Sequence, residues 1–271
     1  MLKGKQRLDE YVAANGLAES REKAKALILA GEVMVNGATV IKPSTAVTEG
    51  DSISIKQQML YVSRGGYKLE KAIQEFLLSI EGFIAADIGA STGGFTDCML
   101  SHGAGKVYAV DVGYGQLNYK LRIDARVIVM ERTNARNMQK DWFASPLQFA
   151  SIDVSFISVR LILAPLYDCL ENNAHVVVLL KPQFEAGREK VGKKGVVKDA
   201  MTHTEVIRTI MRFARQTNYA VRGLSFSPIK GPEGNIEFLL LLQKSEQNAW
   251  EEYRDEEQAK KVVTKAHAAL L

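Results

Sequence analysis

Between residues 83 and 244 short apolar runs alternate with longer amphipathic stretches. "FIAADIGA" (83–90), "KVYAVDVG" (106–113), "RVIVMER" (126–132), "LQFASIDVSF" (147–156) and "AHVVVLL" (174–180) read as strands. Residues 92–102, 158–172 and 202–217 read as the helices between and after them. Strand and helix in alternation predict an α/β fold with a doubly wound, mostly parallel sheet. Two further strands, "YAVRGLSFSP" and "NIEFLLLLQK", are joined only by a short turn around 230–234. They must pair antiparallel, because a parallel crossover needs a dozen residues or more.

Ahead of this lies a different pattern. "RLDEYVAANGL" reads as a helix closed by glycine, and "SREKAKALILAG" as a second helix with Ser20 as N-cap and Gly31 at its end. "EVMVNGATV" is a hairpin turned at Asn36-Gly37, and "GDSISI" adds a short strand. Residues 1–58 therefore form a small α+β domain, 59–66 a linker, 67–244 the large domain and 245–271 a charged helical tail.

Composition narrows the class. Of 271 residues, 46% are hydrophobic and 24% charged, which suits a globular chain with its own core. Cys98 and Cys169 are isolated, which argues for reduced thiols in a cytoplasmic protein. "MLKGKQRLDE" lacks the apolar region of a signal peptide. The longest aliphatic runs fall far short of the roughly 20 residues a membrane span needs. A net charge of +4 permits a nucleic-acid partner without demanding one.

"DIGASTGGFTD" follows a strand and opens a helix. The small residues at 89–91, among them Gly89 and Ser91, with Gly93 and Gly94 let a ligand approach the backbone and the free N–H groups of the helix start, and Phe95 beside them is a further cofactor-binding candidate. Asp111, 22 residues after Gly89, stands where a carboxylate accepts two ribose hydroxyls. This fingerprint alone leaves NAD and S-adenosylmethionine both open. Asp87, suited to the ammonium of a methionine moiety, and the departure from G-x-G-x-x-G favour S-adenosyl-L-methionine. Asn134, after the third strand, is a candidate for the adenine side.

"AHVVVLLKPQFEAG" delivers Lys181 at the end of a core strand. Asp153 ends the fourth strand, and the carboxyl ends of parallel strands line the ligand crevice. The antiparallel last strand brings its beginning, with Glu237, to the same edge. Each has a plain alternative: an ion pair at strand ends, or a solvated strand start. "EAGREKVGKKGVVKDA" (185–200) follows with five basic residues, three glycines and two acids before Asp199, and reads as a mobile basic loop or lid beside the site. Phe156, Phe184 and Tyr67 flank these positions and could stack a base or fill the core.

"DIGASTGGFTDCML" resembles the first motif of the FtsJ-like ribose methyltransferases. With "YVSRGGYKL", "SIDVSFIS", "LLKPQFE" and "GNIEF", the chain to about residue 244 resembles the TlyA family of ribosomal RNA 2′-O-methyltransferases, also called haemolysin A. The resemblance implies a Rossmann-like methyltransferase fold and S-adenosyl-L-methionine as cofactor. It also implies a Lys-Asp-Lys-Glu tetrad at Lys68, Asp153, Lys181 and Glu237, and a cytidine ribose of ribosomal RNA as target. Residues 1–58 resemble the S-four-like RNA-binding module, which implies Arg7, Arg21, Lys23 and Lys25 as RNA contacts. Their balance of eight basic to seven acidic residues does not require it. Arg64, Arg188, Lys193 and Lys194 are the matching candidates near the site.

The chemistry fits these types. A ribose 2′-hydroxyl must lose its proton as it attacks the sulfonium methyl in line. A lysine serves as base only with its pKa brought down to roughly 7–8. Transfer from a sulfonium needs no metal. A non-catalytic RNA-binding or ribosome-assembly protein is the alternative; a membrane-active haemolysin finds no membrane span to support it.

Overall fold

Ser20 Oγ accepts a hydrogen bond from the Lys23 N–H at 3.2 Å and starts the helix Arg21–Leu29, while Gly31, at φ +70°, ends it. The computed structural model describes residues 4–55, 59–245 and 252–271, with side chains from 255 onward in the last segment. Lys3 of the basic N-terminal start and Glu251 of the tail lie outside the described residues. The chain divides into two units, Met1–Met59 and Leu60–Leu271.

In the first unit, helices Leu8–Ala14 and Arg21–Leu29 precede strands Val33–Val35 and Ala38–Thr39. Asn36 and Gly37 both take positive φ, 51° and 80°, as a two-residue type I′ hairpin turn requires. Ile53–Ile55 pairs antiparallel with Val33–Val35. Sequence reading missed a second small ribbon, Gln6–Arg7 against Ala46–Val47. Leu8, Val12, Ala24, Ile28, Val33 and Val47 form the core.

The second unit holds seven strands: β1 (Ile84–Ile88), β2 (Lys106–Val110), β3 (Val127–Met130), β4 (Leu147–Ile152), β5 (Leu170–Leu180), β6 (Tyr219–Phe226) and β7 (Phe238–Lys244). The sheet order is β6-β7-β5-β4-β1-β2-β3. The five strands from β5 to β3 run parallel, and β7 is antiparallel to both neighbours. Its principal helices are α1 (Gly65–Glu75), α2 (Gly94–Ser101), α3 (Arg160–Cys169), α4 (Ala200–Gln216) and α5 (Glu252–Leu270). Val176, Val178 and Leu180 pack with α3 and α4 residues, whereas Val177 and Leu179 pack with those of α1 and α2. Both faces of β5 are covered, so its sequence reads as a continuous apolar run.

Three expectations need correction. The supposed linker belongs partly to this unit: Tyr61 is buried beside Leu69 and Cys98, the Val62 N–H donates to Asp97 Oδ2 at 2.9 Å, and Gly65 already opens α1. The helix expected to reach residue 172 stops at Cys169. Leu170 pairs with Leu147 through an irregular register that passes Asn173 at φ +66°. The tail helix is docked, with Ala259, Val263 and Ala266 in the same core as α4. Among the described residues no helix is long and apolar enough to cross a membrane.

Candidate active site

Strand ends, and one helix, bring the four sequence-predicted residues to one cavity of about 540 Å³. Lys68 rises from the first turns of α1, Asp153 follows β4, Lys181 follows β5, and Glu237 precedes β7. Lys68 Nζ donates to Glu237 Oε2 at 2.5 Å, with side chains 10% and 1% exposed. Lys181 Nζ lies 2.7 Å from Asp153 Oδ1 and donates to Ser155 Oγ at 2.9 Å. The Lys181–Asp153 contact is an ion pair between partly buried side chains. Burial pushes the Glu237 carboxyl upward, Lys68 and Lys181 pull it back, and the Asp153 charge adds to the upward push. Each lysine therefore has its own carboxylate.

Local structure explains how Lys181 is held. Its backbone is extended, and Pro182 occupies the first position of a short helical turn, Pro182–Glu185. Glu185 reaches across to accept from Ser158 Oγ and the Val159 N–H, both at 2.7 Å. This ties the segment after β5 to the segment after β4, and with it Lys181 to Asp153. Burial raises the Glu185 pKa, against the pull of those donors.

A second cavity, about 440 Å³, adjoins the first and shares Gly89, Ser91, Asp153, Ser155 and Phe156 with it. Gly89, Ser91, Asp111 and Asn134 all line it. Gly89 takes φ +90°, and a Cβ there would stand 2.6 Å from the Asp153 carbonyl oxygen. Ser91, at φ +48°, donates its N–H to Asp111 Oδ2 at 2.8 Å, and the Gly113 N–H donates to Asp111 Oδ1 at 2.7 Å. Asn134 caps the helical turn after β3, accepting from the Arg136 N–H at 3.2 Å. Gly94 and Phe95 border the first cavity instead.

Asp87 and Gly93 line neither cavity. Asp87 is fully buried; Oδ2 accepts from the Thr96 N–H at 2.8 Å and Thr96 Oγ1 at 2.7 Å, and Oδ1 from Ser151 Oγ at 3.2 Å. It fastens β1 to α2 and lies outside both cavities. Burial pushes its pKa up to about 7 against the pull of the Thr96 and Ser151 hydrogen bonds, and the Asp153 charge adds to the rise. Gly93 takes φ +96°, and a Cβ there would overlap Leu121.

The basic candidates divide three ways. Arg64 is exposed at the start of α1 and borders the first cavity. Arg188 lines a third hollow with Phe156 and Phe184, while Lys193 and Lys194 are exposed on the loop. In the first unit Lys23 is exposed and Lys25 half-buried. Arg7 and Arg21 both hold the buried Asp9, at 2.9 and 3.0 Å, and Arg21 also pairs with Glu10 at 2.8 Å. The Arg7 hydrogen bond leads in holding the Asp9 carboxyl down at about 2. Sequence reasoning missed Ser155 and Glu185, though both lie inside the quoted motifs. Phe156, by contrast, is 87% exposed, at φ +66°, with its ring 5.1 Å from Phe184, and is not core.

Residues 61–244 match the FtsJ-like methyltransferase family, and residues 6–53 match the S4 domain. The chain is 49% identical to YqxC of Bacillus subtilis, over 100% of this chain and 97% of that protein. It is 40% identical to the 16S/23S rRNA (cytidine-2′-O)-methyltransferase TlyA of Mycobacterium tuberculosis, over 88% of this chain and 89% of that one. A solved structure of a candidate hemolysin from Streptococcus thermophilus is similar at a TM-score of 0.76 and 47% identity, covering 98% of this chain and 97% of its own.

Proposed function

The chain belongs to the FtsJ-like methyltransferase family and carries an S4 domain, and we propose that it methylates a ribose 2′-hydroxyl of ribosomal RNA, at a cytidine, from S-adenosyl-L-methionine. The observation that carries this reading is the meeting of Lys68, Asp153, Lys181 and Glu237 on one cavity beside the glycine-motif cavity.

The residues fit that cofactor. In this reading Asp111 takes the ribose hydroxyls and Asn134 the adenine side, and the apolar walls Ile88, Val110 and Ile162 of the same cavity suit a purine. Asp153, whose Oδ1 pairs with Lys181 at 2.7 Å, puts a carboxylate on the border of the two cavities, which suits a cationic ligand. The bound cofactor supplies an electrophilic methyl group on a sulfonium. Lys181 Nζ takes the proton of the 2′-hydroxyl, and Ser155 and Asp153 hold that amine in place. Lys68 and Glu237 line the same cavity and set the charge balance around that amine. The first unit supplies RNA affinity through Arg7, Arg21, Lys23 and Lys25, with Arg64, Arg188, Lys193 and Lys194 contacting phosphates in the second. Such a substrate, with both cysteines free and buried, fits a reducing cytoplasm.

The test is mass-spectrometric mapping of ribose methylation in ribosomal RNA incubated with the cofactor and either the wild type or Lys181→Ala. A new 2′-O-methylcytidine made by the wild type alone supports the reading. Identical maps overturn it.

A further inference from the structure

The basic loop, 186–199, is not free along its length. Val197 is 2% exposed, and both its backbone polar groups are taken by side chains from elsewhere. Its N–H donates to Asn235 Oδ1 at 3.0 Å, and its carbonyl lies 3.1 Å from His203 Nε2. Asn235 Nδ2 in turn donates to the Gly195 carbonyl at 2.9 Å. Gly195 and Asn235 both line the cavity that holds the tetrad. The inner end of the loop is thus a wall of that cavity, gripped from two sides.

His203 sits on α4, wholly buried, with the Phe238 ring at 5.4 Å. A carbonyl only accepts, so the proton shared with Val197 belongs to His203 Nε2. In a neutral ring Nδ1 is then an acceptor. It faces His267 Nε2, on the tail helix, at 2.8 Å, which makes His267 the donor. Burial and the neighbouring His267 hold the His203 pKa down at about 4, against Asp199 and the Val197 carbonyl, so the neutral ring is the resting form.

We propose that His203 is a positioning residue that fixes the inner end of the basic loop as a wall of the substrate cavity, and that His267 sets the His203 tautomer this requires. The tail helix lies beyond the residues matched to the methyltransferase family, and the contact gives it a part in shaping the site. The proposal rests on the RNA methyltransferase reading only for the identity of what the wall touches.

The full-length chain is compared as wild type, His203→Phe, His203→Gln, His267→Leu and His267→Gln. Glutamine returns an amide donor near the place of the ring Nε2; phenylalanine and leucine do not. Two readouts are taken: the rate of tryptic cleavage after Lys193 and Lys194, and kcat and KM for ribosomal RNA methylation. His203→Phe and His267→Leu are expected to speed loop cleavage and raise KM, each by about tenfold, the scale of one lost buried hydrogen bond, with kcat little changed. Both glutamine variants stay near the wild type. Cleavage at the wild-type rate in a folded His203→Phe overturns the proposal, and so does a glutamine variant as labile as its apolar counterpart. If His203→Phe does not fold, His267→Leu decides on the same two readouts. Cleavage is read without RNA or cofactor, so a failure of the methyltransferase reading would leave that arm intact.

Discussion

Lys68 Nζ and Glu237 Oε2 lie 2.5 Å apart although 169 residues separate them in the chain. With side chains only 10% and 1% exposed, the pair is a buried ion pair whose halves depend on each other. Lys68→Met leaves the carboxylate uncompensated and is expected to cost about 3–5 kcal/mol. Lys68→Met with Glu237→Leu is expected to return to within about 1 kcal/mol of the wild type while remaining inactive. Urea unfolding of the wild type, both single variants and the double variant checks this. A double variant no more stable than Lys68→Met would contradict it.

An amine accepts a proton only in its neutral form, and the proposed function gives that part to Lys181. Lys181→Ala is expected to lower kcat by about 10²–10⁴. Lys181→Arg does no better, because a guanidinium does not give up its proton. In the wild type kcat rises with pH along an acid limb that both variants lack. Single-turnover rates across pH read this directly, and a Lys181→Ala enzyme with the wild-type profile would remove Lys181 from the chemistry.

Two buried groups oppose each other in the pH dependence of stability. Asp87, raised to about 7, stabilises fully below its unfolded value near 3.9 and loses that contribution as pH rises through 7. His203, lowered to about 4, stabilises fully above its unfolded value near 6.5 and loses that contribution as pH falls towards 4. Between roughly pH 4 and 6.5 the two slopes cancel. Relative to the wild type, Asp87→Asn should make stability rise with pH in that window, and His203→Gln should make it fall. Each difference approaches at most about 1.4 kcal/mol per pH unit. Denaturation midpoints at several pH values measure both differences; parallel curves would refute the two shifts.

In the first unit Arg7 and Arg21 keep exposed guanidinium surface, 44% and 43% of the side chain, while Asp9 holds them in place. Each phosphate contact they make adds about 0.9 to the slope of log affinity against log salt. Arg7→Ala and Arg21→Ala are each expected to lower that slope by about this amount, at every RNA sequence tested alike. Titrations at several salt concentrations give the number, and unchanged slopes would remove these arginines from the RNA contact.

Lys181 was legible because β5 is buried on both faces, and an unbroken apolar run ending in lysine leaves little doubt where the lysine goes. The antiparallel last strand was legible from the shortness of its turn. The burial of Asp87 was not legible for a physical reason: periodicity locates a strand end, but not which side of it a helix covers. Thr96 and Ser151 close over the carboxylate from two other elements. The segment after residue 60 looked like a linker because Ser63, Gly65 and Gly66 break its short apolar run, whereas the burial of Tyr61 and the Val62–Asp97 hydrogen bond arise only in three dimensions. The grip of Asn235 and His203 on Val197 joins positions 38 and 6 residues away, with His267 a further 64 from His203, and no motif spacing announces it.

The sheet order carries a consequence for how the chain is made. β7, the last strand in sequence, is not at an edge; it lies between β5 and β6 and bonds to both. During synthesis from the N-terminus, β5 waits with one side of its backbone unpaired and its aliphatic run partly uncovered until residues beyond 238 emerge. An open, apolar strand edge is a template for sticking to other chains. Fragments cut short before the final strand are therefore expected to aggregate, and the same late insertion that finishes the sheet delivers Glu237 to Lys68.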